Sequence, residues 1–229
     1  ILTFEIMGML TGSPWLAAFA AMGVALNGNL AFHATVTYYE NAALAWVFGA
    51  AYCFVQLWTQ QERPAWWLGV FALFAALAVS THERMAGFFL FTAPAAALRL
   101  WWLNRLNPHR LWETGRAVFG ALMVGVVAFA LANNVFVDGP RPLIEYFQSK
   151  STVSINTAGR AGGWMSVVRN QIGVHNHAAR LVLWNLGWIT PILGFVGITR
   201  LWRMKTWAGL ALLLFPLGYE VLSIGYPGW

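Results

Sequence analysis

Residues 66–104 read WWLGVFALFAALAVS-THER-MAGFFLFTAPAAALRLWWLN. Two apolar runs of span length flank a turn of four polar residues, Thr81-His82-Glu83-Arg84. A helix needs roughly 20 mostly apolar residues to cross the hydrocarbon core of a bilayer. The stretch therefore predicts a transmembrane hairpin, and the same pattern recurs on both sides of it. The expected spans are 14–32, 41–60, 66–81, 85–104, 116–137, 181–200 and 206–225. Residues 1–10 read as the end of a further helix, broken by Thr11-Gly12-Ser13-Pro14. Ser13 is a good N-cap there and Pro14 a good first helical residue.

The composition agrees. The chain has 229 residues, of which 59% are hydrophobic and 10% charged. Soluble domains carry about 25% charged residues, so this chain cannot cover a water-soluble surface. Its mean hydropathy is +0.59. A soluble enzyme, a disordered chain and a nucleic-acid-binding domain are all disfavoured, although the net charge is +6. The basic residues are better read as loop charges that set topology and meet anionic headgroups. Cys53 is a lone cysteine within an apolar run, and so reads as a small buried hydrophobe. The predicted fold is an all-α, polytopic membrane helix bundle. It forms a single transmembrane domain over 1–229, with about seven spans plus the end of an eighth, and one long extracytoplasmic loop at 138–180.

Charge sets the expected orientation. Arg99, Arg105, Arg110 and Arg116 surround loop 104–116, and Arg200, Arg203 and Lys205 mark loop 200–205. By the positive-inside rule these loops face the cytoplasm. Loops 33–40, 81–85 and 138–180 then face the extracytoplasmic side. Trp58, Trp66, Trp67, Trp101, Trp102, Trp112, Trp202 and Trp207 fall at the basic ends of spans. Trp favours membrane interfaces, so these residues are expected to form a belt on the cytoplasmic side.

Most unusual polar residues collect on the opposite side. His33, Tyr38 and Glu40 lie in or beside the first outer loop; His82, Glu83 and Arg84 form the tight turn; His175 and His177 lie in the long segment. Glu40 begins a span, where the helix dipole favours a carboxylate; it could equally orient a substrate hydroxyl. Three ionisable residues in a membrane turn are costly unless paired or wet. They read either as an internal ion network or as a holder for an anionic headgroup. His175 and His177 lack the i, i+4 spacing of a helical zinc site. Glu220 and Glu5 lie in apolar helices, where hydrogen bonding to neighbours rivals a functional role. The turn Asp138-Gly139-Pro140 is followed by Leu143 to Phe147, a candidate short surface helix. Trp164 to Ile172 is mildly amphipathic, and this segment could cap a substrate cavity. No recognisable motif encodes a metal site, and the need for a divalent metal stays open.

Four stretches resemble the GT-C superfamily of integral-membrane glycosyltransferases, and within it the dolichyl-phosphate-mannose protein mannosyltransferase group. Leu10 to Ala21 looks like the family's small turn into an alanine-rich span. His33 to Glu40 looks like an outer loop with a carboxylate at the next helix start. Ala75 to Arg84 looks like the family's outer hairpin. Asn185 to Arg200, the basic turn after it and Leu212 to Tyr219 look like a late helix pair. There are departures: Asn27-Gly28-Asn29 stands where the family often has Ser-Pro, and His82 replaces a lysine. The family's main acidic motif precedes everything in this sequence, so the chain reads as a fragment without the N-terminal part.

The resemblance implies transfer of a sugar, with inversion, from a polyprenyl-phosphate donor to an acceptor on the extracytoplasmic face. It implies membrane lipids and the lipid-linked donor as partners. Glu40 is then the candidate catalytic carboxylate. His33, Tyr38, His82, Glu83, Arg84 and His175 are the candidate substrate-binding residues. Two other readings compete. A non-catalytic scaffold subunit of a larger membrane complex would bury its outer loops in partner proteins. A lipid or solute transporter component would carry ionisable groups at the midplane of broken helices.

Overall fold

The computed structural model describes residues 1–25, 39–59, 62–160 and 207–225, with short pieces at 165–166, 168–169, 172–173, 176, 195–199 and 202. The described elements are all helical. Helix α1 (Leu2–Thr11) ends at Gly12, whose φ of 64° suits a residue without a Cβ. Helix α2 (Pro14–Ala25) follows at once. The Leu16 N–H donates to Ser13 Oγ at 3.4 Å, so Ser13 is the N-cap that the sequence suggested.

Among the described residues, four helices are long and apolar enough to cross a bilayer. They are α3 (Tyr39–Thr59), α4 (Pro64–Thr81), α5 (Ala86–Asn104) together with the 3-10 turn before it, and α6 (Pro108–Ala132). At about 1.5 Å per residue, the 18 residues of α4 reach about 27 Å, close to the roughly 30 Å hydrocarbon core. The chain is thus an integral, multi-pass membrane protein.

Some expected boundaries need correction. The span placed at 116–137 is α6, which begins at Pro108 and ends at Ala132. The loop placed at 104–116 shrinks to Arg105–Asn107, so Arg110, Trp112 and Arg116 are helical. Asn107 causes the early start: its side chain accepts the N–H groups of His109 (3.1 Å) and Arg110 (3.3 Å), and Pro108 pre-sets the first turn. The span placed at 206–225 divides into α8 (Trp207–Ala211) and α9 (Leu214–Gly225) around Leu212 and Leu213. The expected surface helix is longer than Leu143 to Phe147. It runs from Arg141 to Arg160 as α7, after a single helical turn at Val135–Asp138. The expected spans at 14–32 and 181–200 fall partly or mostly outside the described residues.

Helix α4 is central: α3 packs antiparallel along one side of it and α6, running in the same direction as α4, along another. Helix α5 touches α3, α4 and α6 more lightly, and α9 packs along α5. Their core is a closed ring of four phenylalanines from four helices: Phe54, Phe71, Phe89 and Phe215. Ring centroids lie 6.0 Å apart for Phe54–Phe71, 5.9 Å for Phe71–Phe89, 6.1 Å for Phe89–Phe215 and 5.5 Å for Phe54–Phe215. Each aromatic pair contributes about 0.5–1.5 kcal/mol beyond area burial, and the tilted and edge-on geometries suit the ring quadrupoles.

Because the helices alternate in direction, one bundle end gathers Trp58, Trp66, Trp67, Trp101, Trp102, Trp112 and Trp207. Trp66, Trp101, Trp102, Trp112 and Trp207 are exposed, as an interfacial belt requires. The other end gathers the start of α3, the His82–Met85 turn, the end of α6 and the start of α7.

Lipid tails are as apolar as Leu, so helix pairing in a membrane relies on close fit. Helices α5 and α9 meet at Gly87 and Gly218, where backbone touches backbone. A Cβ on Gly87 would sit 2.7 Å from the Tyr219 Cα. Beside this contact Phe88 stacks on Tyr219 at 4.6 Å. Overpacking of this kind costs about 1–3 kcal/mol. Gly87→Ala is therefore expected to lower the thermal midpoint of the purified protein in detergent. Gly69→Ala and Gly120→Ala, at positions where a Cβ meets nothing within 4 Å, should not lower it. An unchanged midpoint in Gly87→Ala would contradict the close approach.

A candidate headgroup pocket at the polar end

The last turn of α4 satisfies its own hydroxyls. Ser80 Oγ donates to the Ala76 carbonyl at 2.8 Å, and Thr81 Oγ1 to the Leu77 carbonyl at 2.7 Å. His82 then takes an extended backbone, and a single 3-10 turn (Glu83–Met85) leads into α5. His82 is the pivot of this turn and is only 6% exposed. Its N–H donates to the Ala78 carbonyl (3.0 Å), and its carbonyl accepts the Met85 N–H (3.0 Å). Its Nδ1 accepts the Arg84 N–H at 3.1 Å. The Nδ1 lone pair is thereby in use, which leaves Nε2 as the imidazole's N–H donor. The Glu83 carboxylate oxygen stands 3.9 Å from Nδ1, as a neighbour rather than a hydrogen-bonded partner.

Helix α6 ends beside this turn. Asn133 Nδ2 donates to the Phe129 carbonyl (2.8 Å) and across to Ser80 Oγ (3.1 Å). That bond joins the ends of α4 and α6. Asn134 adopts the left-handed conformation (φ 53°) and Gly139 has φ 72°; Asn and Gly are the residues that tolerate such angles. These two bends send α7 back over the end of the bundle. Its first turn is held by Arg141 Nε and Glu145 Oε1 at 2.8 Å, an exposed i, i+4 pair worth about 0.3–0.5 kcal/mol.

Between these elements lies a pocket of about 340 Å³, within the size range of ligand sites. Val79, Ser80, Thr81 and Glu83 form one wall, Phe129 and Asn133 a second. Pro142, Leu143, Tyr146 and Phe147 of α7 form the cover. Hydroxyls, an amide, a carboxylate and aromatic rings thus face one cavity. Such a set suits a polyhydroxyl or headgroup ligand.

A groove of about 480 Å³ runs between α4, α5 and α6. Its walls are apolar and largely alanine and phenylalanine, including Phe71, Ala75, Ala76, Phe89, Ala93 and Ala121. Leu90, Leu122 and Val126 of its lining are exposed on the outside of the bundle. Val79 and Phe129 line both the groove and the polar pocket, so the two are contiguous.

Of the candidate site residues, Glu83 lines the pocket, while His82 shapes the turn behind it. Arg84 lies in the same turn and is half-buried. Glu40 falls in the first turn of α3, and its side chain lies outside the described residues. His33, Tyr38 and His175 also lie outside them. Sequence reasoning missed Asn133 and Tyr146. The Asn133-Asn134 pair that closes the apolar run was a usable stop signal. The spacing of Leu143, Tyr146 and Phe147 marks one helical face. Among the described residues, no three His, Cys, Asp or Glu side chains gather into a metal-binding group.

Water access to the pocket is testable. Thr81→Cys is expected to react with a membrane-impermeant maleimide. The native Cys53, 1% exposed, should stay unlabelled in the folded protein. A Thr81→Cys thiol as inert as Cys53 would mean that the pocket is closed to water.

No curated protein and no solved structure matches the chain. The family model described as "Dolichyl-phosphate-mannose-protein mannosyltransferase" matches residues 1–138. That region holds all four long apolar helices and two of the three pocket walls, and it is more than half of the chain. By this match the chain belongs to the dolichyl-phosphate-mannose-protein mannosyltransferase family.

Proposed function

We propose that the chain takes part in transferring a mannosyl or related hexosyl group from a polyprenyl-phosphate carrier to an acceptor hydroxyl, at the polar end of the bundle on the extracytoplasmic side. Family membership and the contiguity of a polar pocket with an apolar groove support this reading. A polyprenyl-phosphate sugar has the matching shape. Its headgroup is polar and its tail is hydrocarbon that never needs to leave the bilayer. In this reading the sugar and phosphate occupy the pocket beneath α7, and the first isoprene units lie along the groove past Val79 and Phe129.

The transfer breaks the bond between the anomeric carbon and the phosphate oxygen and forms a bond from that carbon to the acceptor oxygen, with inversion. The acceptor loses a proton and the departing polyprenyl phosphate gains negative charge. A carboxylate must take the proton and cationic or N–H groups must meet the charge. Glu40 is the proposed base. Arg84 and the imidazole of His82 are the proposed phosphate-side groups. Ser80, Thr81 and Asn133 are suited to the sugar hydroxyls, and Glu83 to orienting one of them. His33, Tyr38 and His175 remain proposed contributors to substrate binding. Helix α7 covers the pocket from one side.

The test is sugar transfer from a radiolabelled polyprenyl-phosphate mannose by membranes carrying the protein. Loss of a general base lowers turnover by about 10²–10⁴-fold, so Glu40→Gln should do so with donor binding retained. Arg84→Gln should instead raise the KM for the donor. Full activity in Glu40→Gln would remove Glu40 from the chemistry. Absence of transfer by the wild-type protein, folded and with donor bound, would favour a scaffold role.

A further inference from the structure

A second polar feature lies at the tryptophan-rich end, away from the pocket and independent of sugar transfer. Helix α3 ends there against α5. Arg99 Nη2 donates to the Trp58 carbonyl at 3.3 Å, in the last turn of α3, where a cation meets the negative end of the helix dipole. The guanidinium carbon also stands 5.3 Å from the centre of the Trp58 ring, within cation–π range. These contacts leave two buried donors without an acceptor among the described residues, Arg99 Nε and Trp58 Nε1. No carboxylate among the described residues pairs with Arg99; Glu113, on the neighbouring helix, faces His109 at 3.6 Å. Buried donors, one of them on a charged group, are costly without a partner.

A partner common to both donors accepts two hydrogen bonds, and negative charge beside the guanidinium favours it. A phosphate group meets both needs, because its oxygens match the guanidinium fork and leave a lone pair for the indole N–H. The depth in the membrane fits as well. Arg99 lies in the last turns of α5, level with the exposed Trp66, Trp101 and Trp102, where headgroups reside. We propose that Arg99 and Trp58 form a phosphate-binding site at this end of the bundle, filled by a lipid headgroup of the adjoining leaflet or by free phosphate. The neighbouring Arg105 is different in kind: it stacks on Trp102 at 3.3 Å and donates to the Trp102 carbonyl.

Native mass spectrometry of the full chain in neutral detergent tests this, with dioleoyl phosphatidic acid, dioleoylglycerol and inorganic phosphate as probes. The phosphatidic acid adduct is expected and the dioleoylglycerol adduct is not. Arg99→Gln should weaken phosphatidic acid binding by about tenfold, the scale of a hydrogen bond to a charged group. Trp58→Phe keeps the ring and removes only the N–H, so it should weaken binding by a smaller factor; it decides the matter if Arg99→Gln fails to fold. Arg105→Gln should bind as the wild type does. Binding of inorganic phosphate with the same dependence on Arg99 would support the site and make free phosphate its ligand. Equal binding of the two lipids would overturn the proposal. So would unchanged phosphatidic acid binding in both Arg99→Gln and Trp58→Phe, or an equal loss in Arg105→Gln.

Discussion

Hydrocarbon offers a polypeptide no hydrogen-bond partners, and the rest of this structure follows from that constraint. Every backbone N–H and C=O within the bilayer must be satisfied inside its own helix. The chain therefore resolves into span-length helices with polar residues at their ends. Hydroxyls inside the bundle return to their own backbone, as Thr59 does to Val55, Ser80 to Ala76 and Thr92 to Phe88. Lacking a hydrophobic drive to assemble, the helices are held by shape. The phenylalanine ring joins four of them, and the Gly87–Gly218 crossing lets two backbones touch.

The same constraint places the chemistry. Groups that can bind a sugar, take a proton or meet a phosphate are tolerated where the helices stop. The His82–Met85 turn is compact because His82 serves both neighbours, closing α4 with its N–H and starting the 3-10 turn with its ring. Asn133 ties the end of α6 to Ser80, and α7 folds back over both. A pocket with polar walls thus adjoins an apolar groove that opens on the outside of the bundle.

Much of this was legible in the sequence. Apolar runs located α3, α4 and α5 to within a few residues, and Ser13 and Pro14 marked the start of α2. The tryptophans gave one end of the bundle, and the His82–Arg84 turn gave part of the opposite end. The start of α6 differs from the expected 116 because Arg105, Arg110 and Arg116 read as loop charges. A helix crossing the interface carries charge in its first turns, and the Asn107-Pro108 cap was the better signal. The pocket was legible only in part. Ser80, Thr81 and Glu83 are close in sequence, but Asn133 reaches them because α6 ends beside α4, and Tyr146 through two bends after α6. Such contacts depend on tertiary geometry, and no local pattern reports them.

In the proposed function a lipid-linked donor lies with its headgroup under α7 and its chain between α4, α5 and α6. Photocrosslinking tests it most directly. A polyprenyl-phosphate sugar with a diazirine in its first isoprene units would be irradiated with the protein in a bilayer, and the adducts mapped by peptide mass spectrometry. Adducts are expected on residues 71–79, 86–93 and 121–129, lost on competition with unlabelled donor. Adducts that resist competition, or that fall on other helices, would contradict it.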